Sequence, residues 1–175
     1  RYITQDNKGT IWVAAGTNQI FGLKRGYKEF TALSLYDPSF TFIPCLLPLN
    51  SGELIVTAFY NPLKTVNSDT WEIETVKFQD GEMEKCISRS VFIPTVMYQD
   101  SQDNIWIGTI TNGLMLFNPS TGRINPVKGA PCSDISAIEE DVQGNMWIST
   151  LYGLCKYDKT INKFTNYYSA DGTGG

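Results

Sequence analysis

A chain of 175 residues is long enough to bury a core of its own, and one domain is the prior for that length. With 42% hydrophobic, 18% charged and 13% aromatic residues the composition is globular, which excludes a disordered or collagen-like chain. The formal net charge of −4, from 14 basic and 18 acidic side chains scattered along the chain, leaves no basic patch for phosphates or anionic lipid, so no nucleic-acid partner is expected.

No apolar run approaches the roughly 20 residues that a membrane-spanning helix needs, and no basic, then apolar, leader opens at Arg1. A mature soluble piece or an excised one is the expectation. Aromatic and β-branched residues recur in short segments between Gly, Asn, Asp and Pro clusters, without a sustained i, i+3, i+4, i+7 stripe. The chain should fold around sheets, with helix nearly absent.

Taken in order, the first element is Asp6-Asn-Lys-Gly-Thr-Ile-Trp-Val13. A worn copy follows as Asn50-Ser-Gly-Glu-Leu-Ile-Val56, with Ile55 in the place of the tryptophan. Two close copies come next, Asp100-Ser-Gln-Asp-Asn-Ile-Trp-Ile-Gly-Thr109 and Asp141-Val-Gln-Gly-Asn-Met-Trp-Ile-Ser-Thr150, each leading into a Gly-Leu pair at Gly113 and Gly153. The spacings from Trp12 to Ile55, to Trp106 and to Trp147 are 43, 51 and 41 residues. A fixed period of this size suits a propeller blade of four short strands. The stretched second interval implies an insertion, placed in the segment from Tyr60 to Asp69.

In the last copy, Asp134–Asp141 alternates as a first strand, Met146–Thr150 is a second, Leu154–Asp158 a third and Lys163–Tyr167 a fourth. Gly9, Gly52 and Gly144 fall where a short hairpin wants positive φ, and Asp103-Asn104 takes that place in the third copy. The expected fold class is all-β, a β-propeller of about four blades of four-stranded antiparallel sheet, as a fragment of a larger propeller. The blades are assigned to 1–36, 41–89, 93–126 and 134–168, with 169–175 as a tail leading toward a further repeat. Two exposed sheet edges would then need cover.

The recurrence of Trp12, Trp106 and Trp147 at one strand position points to packing between blades rather than a sugar platform. Trp71, outside the motif, is placed in a third strand and expected to be partly exposed, though packed. Asp6, Asp100 and Asp141 read as Asx-type turn caps rather than metal ligands or paired acids. Glu139 and Glu140 point to opposite faces of one strand and read as a solvated edge.

The four cysteines, Cys45, Cys86, Cys132 and Cys155, match no metal or redox spacing. Buried free thiols are expected; an oxidising compartment would permit a disulfide, with Cys132 and Cys155 the first pair to check. With 0 histidines the commonest general base is missing. No catalytic residue, metal or cofactor is assigned.

Propellers present ligands at the end carrying the loops between second and third strands and between fourth and first. Those loops hold Thr17, Asn18, Tyr60, Asn61, Thr111, Asn112, Lys128, Ser133 and Tyr152, a mixture of aromatic faces and mostly neutral hydrogen-bonding groups suited to an oligosaccharide.

The repeat Asp-x-x-Gly-Asn-Ile/Met-Trp-Ile-Gly/Ser-Thr-x-x-Gly-Leu resembles the regulator-propeller repeat of hybrid two-component sensors of gut Bacteroidetes. The resemblance covers essentially the whole chain; the first copy loses the Thr-x-x-Gly-Leu ending and the second is degenerate. It implies a periplasmic, ligand-sensing part of an inner-membrane receptor, with further propeller blades and a β-sandwich as intramolecular partners and a histidine kinase beyond the membrane. A homodimer in the full receptor and control of glycan-utilisation genes follow from the same resemblance. The alternative is a non-catalytic propeller scaffold for protein contacts or receptor dimerisation.

Overall fold

The computed structural model describes residues 2–15, 18–35, 42–43, 45–59, 61–77, 92–131 and 134–168. Its strands are β1 (Tyr2–Gln5), β2 (Ile11–Ala14), β3 (Gln19–Leu23), β4 (Thr31–Ser34), β5 (Cys45–Pro48), β6 (Glu53–Thr57), β7 (Lys64–Asn67) and β8 (Ile73–Thr75), then β9 (Pro94–Gln99), β10 (Ile105–Thr109), β11 (Leu114–Asn118), β12 (Arg123–Pro126), β13 (Ile135–Glu140), β14 (Met146–Thr150), β15 (Gly153–Asp158) and β16 (Lys163–Tyr167). They form four sheets of four strands, each an antiparallel meander in chain order. No helix occurs among the described residues.

The chain divides into two compact units, Arg1–Phe92 and Ile93–Gly175. Each contains two of the sheets, here called blades 1 and 2 in the first unit and blades 3 and 4 in the second.

The first hairpin of each blade closes in the same way. Asp6 N donates to Thr10 O and Gly9 N to Asp6 O; Leu49 and Glu53, Asp100 and Asn104, and Asp141 and Asn145 repeat the first of these bonds. The turn needs a left-handed residue at its third position, and Gly9, Gly52 and Gly144 have φ of 85°, 89° and 83°. Asp103 holds the same place at 63°, as its short polar side chain permits.

Alternation along the strands then sorts the faces. In blade 1, Trp12, Ala14 and Ile20 are buried, and they form one core cluster with Leu46, Leu54, Val56 and Val66 of blade 2. In the second unit, Trp106 and Leu114 of blade 3 pack with Ile135, Ile138, Met146, Ile148 and Cys155 of blade 4. Full burial of a side chain such as Ile148 contributes roughly 1.5–3 kcal/mol.

Several expectations need correction. Trp71 is not in a third strand: it sits in the β7–β8 turn with φ 68°, because Asn67 caps that turn with its side-chain oxygen on Asp69 N and Thr70 N. It is half-buried and packs its ring 5.1 Å from that of Trp12. The extra residues of the second interval do not lie between Tyr60 and Asp69, since β7 and β8 follow Ile55 at nearly the spacing with which β11 and β12 follow Trp106. They lie between Thr75 and Pro94, a connection much longer than the one from Pro126 to Ile135.

Cys45 and Cys155 are buried, and neither is in a disulfide among the described residues. Cys86 and Cys132 lie outside the described residues. Burial pushes the Cys155 thiol up to about 11.

Candidate functional site

Within each blade the end of the second strand, the start of the third, the end of the fourth and the start of the first lie together, because the meander pairs Thr150 with Gly153, Leu154 with Tyr167 and Ile135 with Thr150. This is the end at which the sequence-derived candidates fall.

In the first unit, Asn18 and Asn61 are half-buried loop residues of blades 1 and 2. Asn18 O accepts Leu35 N at 3.0 Å, tying β4 to the β2–β3 loop. Asn61 donates its side-chain amide to Phe59 O at 2.8 Å, which holds its own turn. Thr17 and Tyr60 lie outside the described residues.

In the second unit, Thr111 and Asn112 occupy the β10–β11 turn, where Thr109 Oγ1 accepts Asn112 N at 2.8 Å and donates to Gly113 O. Thr111 Oγ1 and Asn112 Oδ1 are 3.1 Å apart in a local bond. Lys128 is exposed in the β12–β13 connection, and Ser133 lies outside the described residues.

Tyr152 is the candidate that a cavity singles out. It is 69% exposed at the β14–β15 turn, with its backbone N held by Thr150 Oγ1 at 3.1 Å. A groove of about 230 Å³ lies beside it, lined by Ala130 and Pro131 from the β12–β13 connection, Thr150 and Tyr152 from blade 4, and Asn166 and Tyr168 at the end of β16. Gly153 shapes its floor: its φ is +141°, and a Cβ there would stand 2.4 Å from Tyr167 O.

Asn166 and Tyr168 were not among the candidates. Both are exposed, and the only signal that could have found them is that β16 ends where β14 ends. Thr111, Asn112 and Lys128 do not line this groove.

Three carboxylates recur beneath the hairpins. Asp6 Oδ1 accepts the backbone N–H of Lys8 and Thr10, and Oδ2 accepts Trp12 Nε1 at 3.0 Å. Asp100 accepts Gln102 N, Asn104 N, the Asn104 amide and Trp106 Nε1. Asp141 repeats this with Gln143, Asn145 and Trp147. The expected turn cap is present, and the indole bond is an addition to it. Blade 2 has Leu49 and Ile55 at these two places, so carboxylate and indole are lost as a pair.

Burial pushes each of these carboxyls up, but the bonds they accept outweigh it, led by the indole at Asp6 and Asp141 and by Lys159 ahead of the indole at Asp100, and all three stand below the usual range, Asp141 at about 2. The buried Ser68 hydroxyl of blade 2 adds to the lowering at Asp6 while completing no hydrogen bond of normal geometry.

Glu140 is not a solvated edge. Its side chain is 8% exposed; it accepts Ser101 N at 2.7 Å, and it shares Lys159 with Asp100 at 2.7 and 2.8 Å. A cation in the β15–β16 turn at Lys159 makes this clamp, which no single motif announces. Burial lowers Lys159, but its two carboxylates more than reverse this and raise it. Among the described residues no three His, Cys, Asp or Glu side chains are grouped to hold a metal ion.

The fold is that of β-propeller blades. The model of the two-component regulator propeller family matches residues 88–111 and 129–152, the entries into blades 3 and 4, so these two segments are similar to regulator-propeller repeats. A comparison with curated proteins finds no relative.

Among solved structures, the chain is similar to the extracellular domain of a protein described as the hybrid two-component system BT3049 of B. thetaiotaomicron, with a TM-score of 0.71 at 21% identity over 99% of this chain and 22% of that one. It is also similar to the extracellular domain of BT4673 of the same organism, with a TM-score of 0.68 at 19% identity over 94% of this chain and 21% of that one. The β-propeller domain of Myceliophthora thermophila Cps50 (Swd1) matches at 0.63 and 11% identity over 90% of this chain and 52% of that one. At these identities the likeness establishes the fold, and the chain spans about a fifth of the two bacterial extracellular domains.

Proposed function

We propose that the chain is part of the extracytoplasmic input region of a hybrid two-component sensor, and that it recognises a soluble oligosaccharide at the loop end of blades 3 and 4. The observation that carries this reading is the pairing of segments similar to regulator-propeller repeats with the fold of extracellular domains of such systems. The groove beside Tyr152 supports the ligand class: exposed tyrosine rings offer stacking faces, and Asn166 and Thr150 offer neutral polar groups. Asn18, Asn61, Thr111, Asn112 and Lys128, on the same ends of their blades, are candidates for a longer ligand, and Thr17, Tyr60 and Ser133 belong to the same set by sequence.

On this reading the chain itself is non-catalytic. The absence of histidine removes imidazole chemistry, and Asp6, Asp100 and Asp141 are engaged by indole and backbone N–H groups. Binding would be relayed across an inner membrane to a kinase that controls glycan-utilisation genes, with a β-sandwich and further blades between, in a receptor that is a homodimer.

A thermal-shift panel of neutral and acidic oligosaccharides, run on this chain and on the complete sensor region side by side, tests the reading. One oligosaccharide stabilising both places the site in these blades. Stabilisation of the complete region alone removes the site from them, and no response in either overturns ligand sensing. A scaffold role in protein contacts is the second reading, favoured by one observation: Trp147 is half-exposed on blade 4, whereas Trp12 and Trp106 are buried.

A further inference from the structure

The turns that join the third and fourth strands of blades 2, 3 and 4 are built alike. Asn118 pairs with Arg123 and Asp158 with Lys163, across turns that span 119–122 and 159–162. In blade 2, Asn67 N donates to Glu72 O at 2.9 Å across a turn of the same length, 68–71. A side-chain oxygen caps each turn, from Asn67 on Asp69 N, from Asn118 on Thr121 N and from Asp158 on Thr160 N. The last residue of the turn is left-handed in all three, Gly122 at φ 63°, Asn162 at 50° and Trp71 at 68°.

Glycine and asparagine are residues that such a backbone tolerates; a tryptophan there is strained. Packing between blades does not by itself require it. In blade 4 the ring laid on the neighbouring Trp106 comes from within the third strand, from Tyr157 opposite Met146. The matching strand position in blade 2, opposite Leu54, is Val66, and the ring laid on Trp12 comes from the strained turn instead. The exchange carries an aromatic side chain out of the strand and to the rim of the joint.

There Trp71 meets two surroundings. Its six-membered ring lies against Gly22, where an added Cβ would stand 2.4 Å from it, whereas its Nε1 is neither buried nor bonded to an acceptor among the described residues. Together with Lys24, Tyr27, Glu29 and Thr31 of blade 1 it lines a groove of about 250 Å³. Lys24 Nζ stands 5.1 Å from the Trp71 ring centre and donates to Asp69 O at 2.7 Å, which leaves an ammonium group with further N–H donors. Tyr27 is 70% exposed, and the side chains of Tyr27, Glu29 and Thr31 make no hydrogen bond or ion pair among the described residues. Blades 1 and 2 supply one wall each, within the first unit and beside the core that they share. The groove is therefore not an outer face of the described chain.

Aromatic rings beside open donors and an open carboxylate match a ligand that is apolar on one face and rimmed by hydroxyls, each able to donate and to accept. We propose that this groove binds one pyranose ring of a glycoside, with Trp71 and Tyr27 against its apolar face and Lys24, Glu29 and Thr31 on its hydroxyls. Its volume, below the usual range for small-molecule sites, limits it to a single sugar unit. The site lies at the turns between third and fourth strands, the other end of a blade from the loops around Tyr152, and it stands whether or not that other groove binds.

The test is saturation-transfer NMR of the full 175-residue chain with the methyl glycosides of glucose, galactose, mannose and N-acetylglucosamine, with circular dichroism to confirm that each variant is folded. At least one glycoside binds the wild type with a Kd of about 10 mM or below, as expected for a single ring. Tyr27→Ala, a change at an exposed site, weakens that binding about fivefold or more. Trp71→Asn, which installs the residue type that blade 4 carries at this turn, abolishes it, and Tyr152→Ala binds like the wild type. Four glycosides that all fail to bind at about 50 mM overturn the proposal. So does a Tyr27→Ala chain or a folded Trp71→Asn chain that binds like the wild type, and so does a Tyr152→Ala chain that has lost the sugar; Tyr27→Ala carries the test where Trp71→Asn does not fold.

Discussion

Asp100 and Trp106 stand six residues apart, on either side of a hairpin turn, and the carboxylate of one takes the indole N–H of the other at 2.8 Å. The same bond joins Asp6 to Trp12 and Asp141 to Trp147. One carboxyl group thus closes the turn with one oxygen and fixes the rotamer of the blade's largest side chain with the other. At Asp100 the second oxygen also holds Lys159, so hairpin, indole and neighbouring blade meet on one side chain that is 0% exposed.

Removing that group leaves the Trp106 and Asn104 N–H groups without their acceptor and Lys159 with Glu140 alone. Asp100→Ala is expected to lower the stability of the second unit by about 1–3 kcal/mol, the range for leaving buried donors unsatisfied. Urea unfolding followed by tryptophan fluorescence measures this, and a loss below about 1 kcal/mol would show that the joint holds without it.

Stability should also fall with acid. Asp6, Asp100, Asp141 and Glu140 all have folded values below their ordinary ones, 3.8 for Asp and 4.5 for Glu. A depressed folded value contributes stability that is fully present above the unfolded value and is lost as pH falls through the folded one. The melting temperature should therefore hold from neutrality to about pH 5 and drop steeply between pH 4 and about 2, where Asp141 titrates. Lys159, raised, acts at the other end: its contribution is intact below 10.5 and fades above it. A thermal-melt series against pH checks both limbs.

Two glycines are held by contact rather than by backbone angle. A Cβ at Gly22 would stand 2.4 Å from the Trp71 ring and 2.9 Å from that of Trp12, and one at Gly108 would stand 2.4 Å from Ile135 Cγ2. Gly22→Ala and Gly108→Ala should each cost about 1–3 kcal/mol through overpacking. At Gly26, where nothing lies within 4 Å, the effect of alanine should come from its φ of +85° alone. Melting temperatures of the three variants distinguish the two mechanisms.

Cys155 is buried with its thiol at about 11, so it should resist alkylation in the folded protein at pH 8 and react on unfolding. Peptide mapping after iodoacetamide treatment, with and without urea, reads this out. Labelling of Cys155 in the native protein at the rate of a free thiol would contradict its place in the core.

Much of the fold was legible because three of the four repeats keep their chemistry. The strands Met146–Thr150 and Lys163–Tyr167 follow from alternation and turn residues, and the structure has them at those bounds. Asp103 at positive φ was legible for the same reason, a turn that demands it and a side chain that tolerates it. Blade 2 was harder, since Leu49 and Ile55 have replaced the motif's Asp and Trp, and the misplacement of Trp71 and of the long connection both come from there.

The candidate site was legible only in part. Loop position puts Tyr152 among nine candidates and the groove sets it apart, but Asn166 and Tyr168 join it through strand pairing across the sheet, a relation that sequence spacing does not reveal. The Asp100–Lys159–Glu140 clamp was missed for a like reason, because it joins residues of two blades.

The most direct test of the sensing account is a titration of the oligosaccharide panel by thermal shift on the wild-type chain and on Tyr152→Ala, whose ring is exposed and whose loss should leave the fold intact. One oligosaccharide should stabilise the wild type, by about 2.7 kcal/mol at a hundred times its Kd, and the variant should lose most of that gain. A panel that stabilises neither, or one that stabilises both equally, would contradict ligand recognition at this groove.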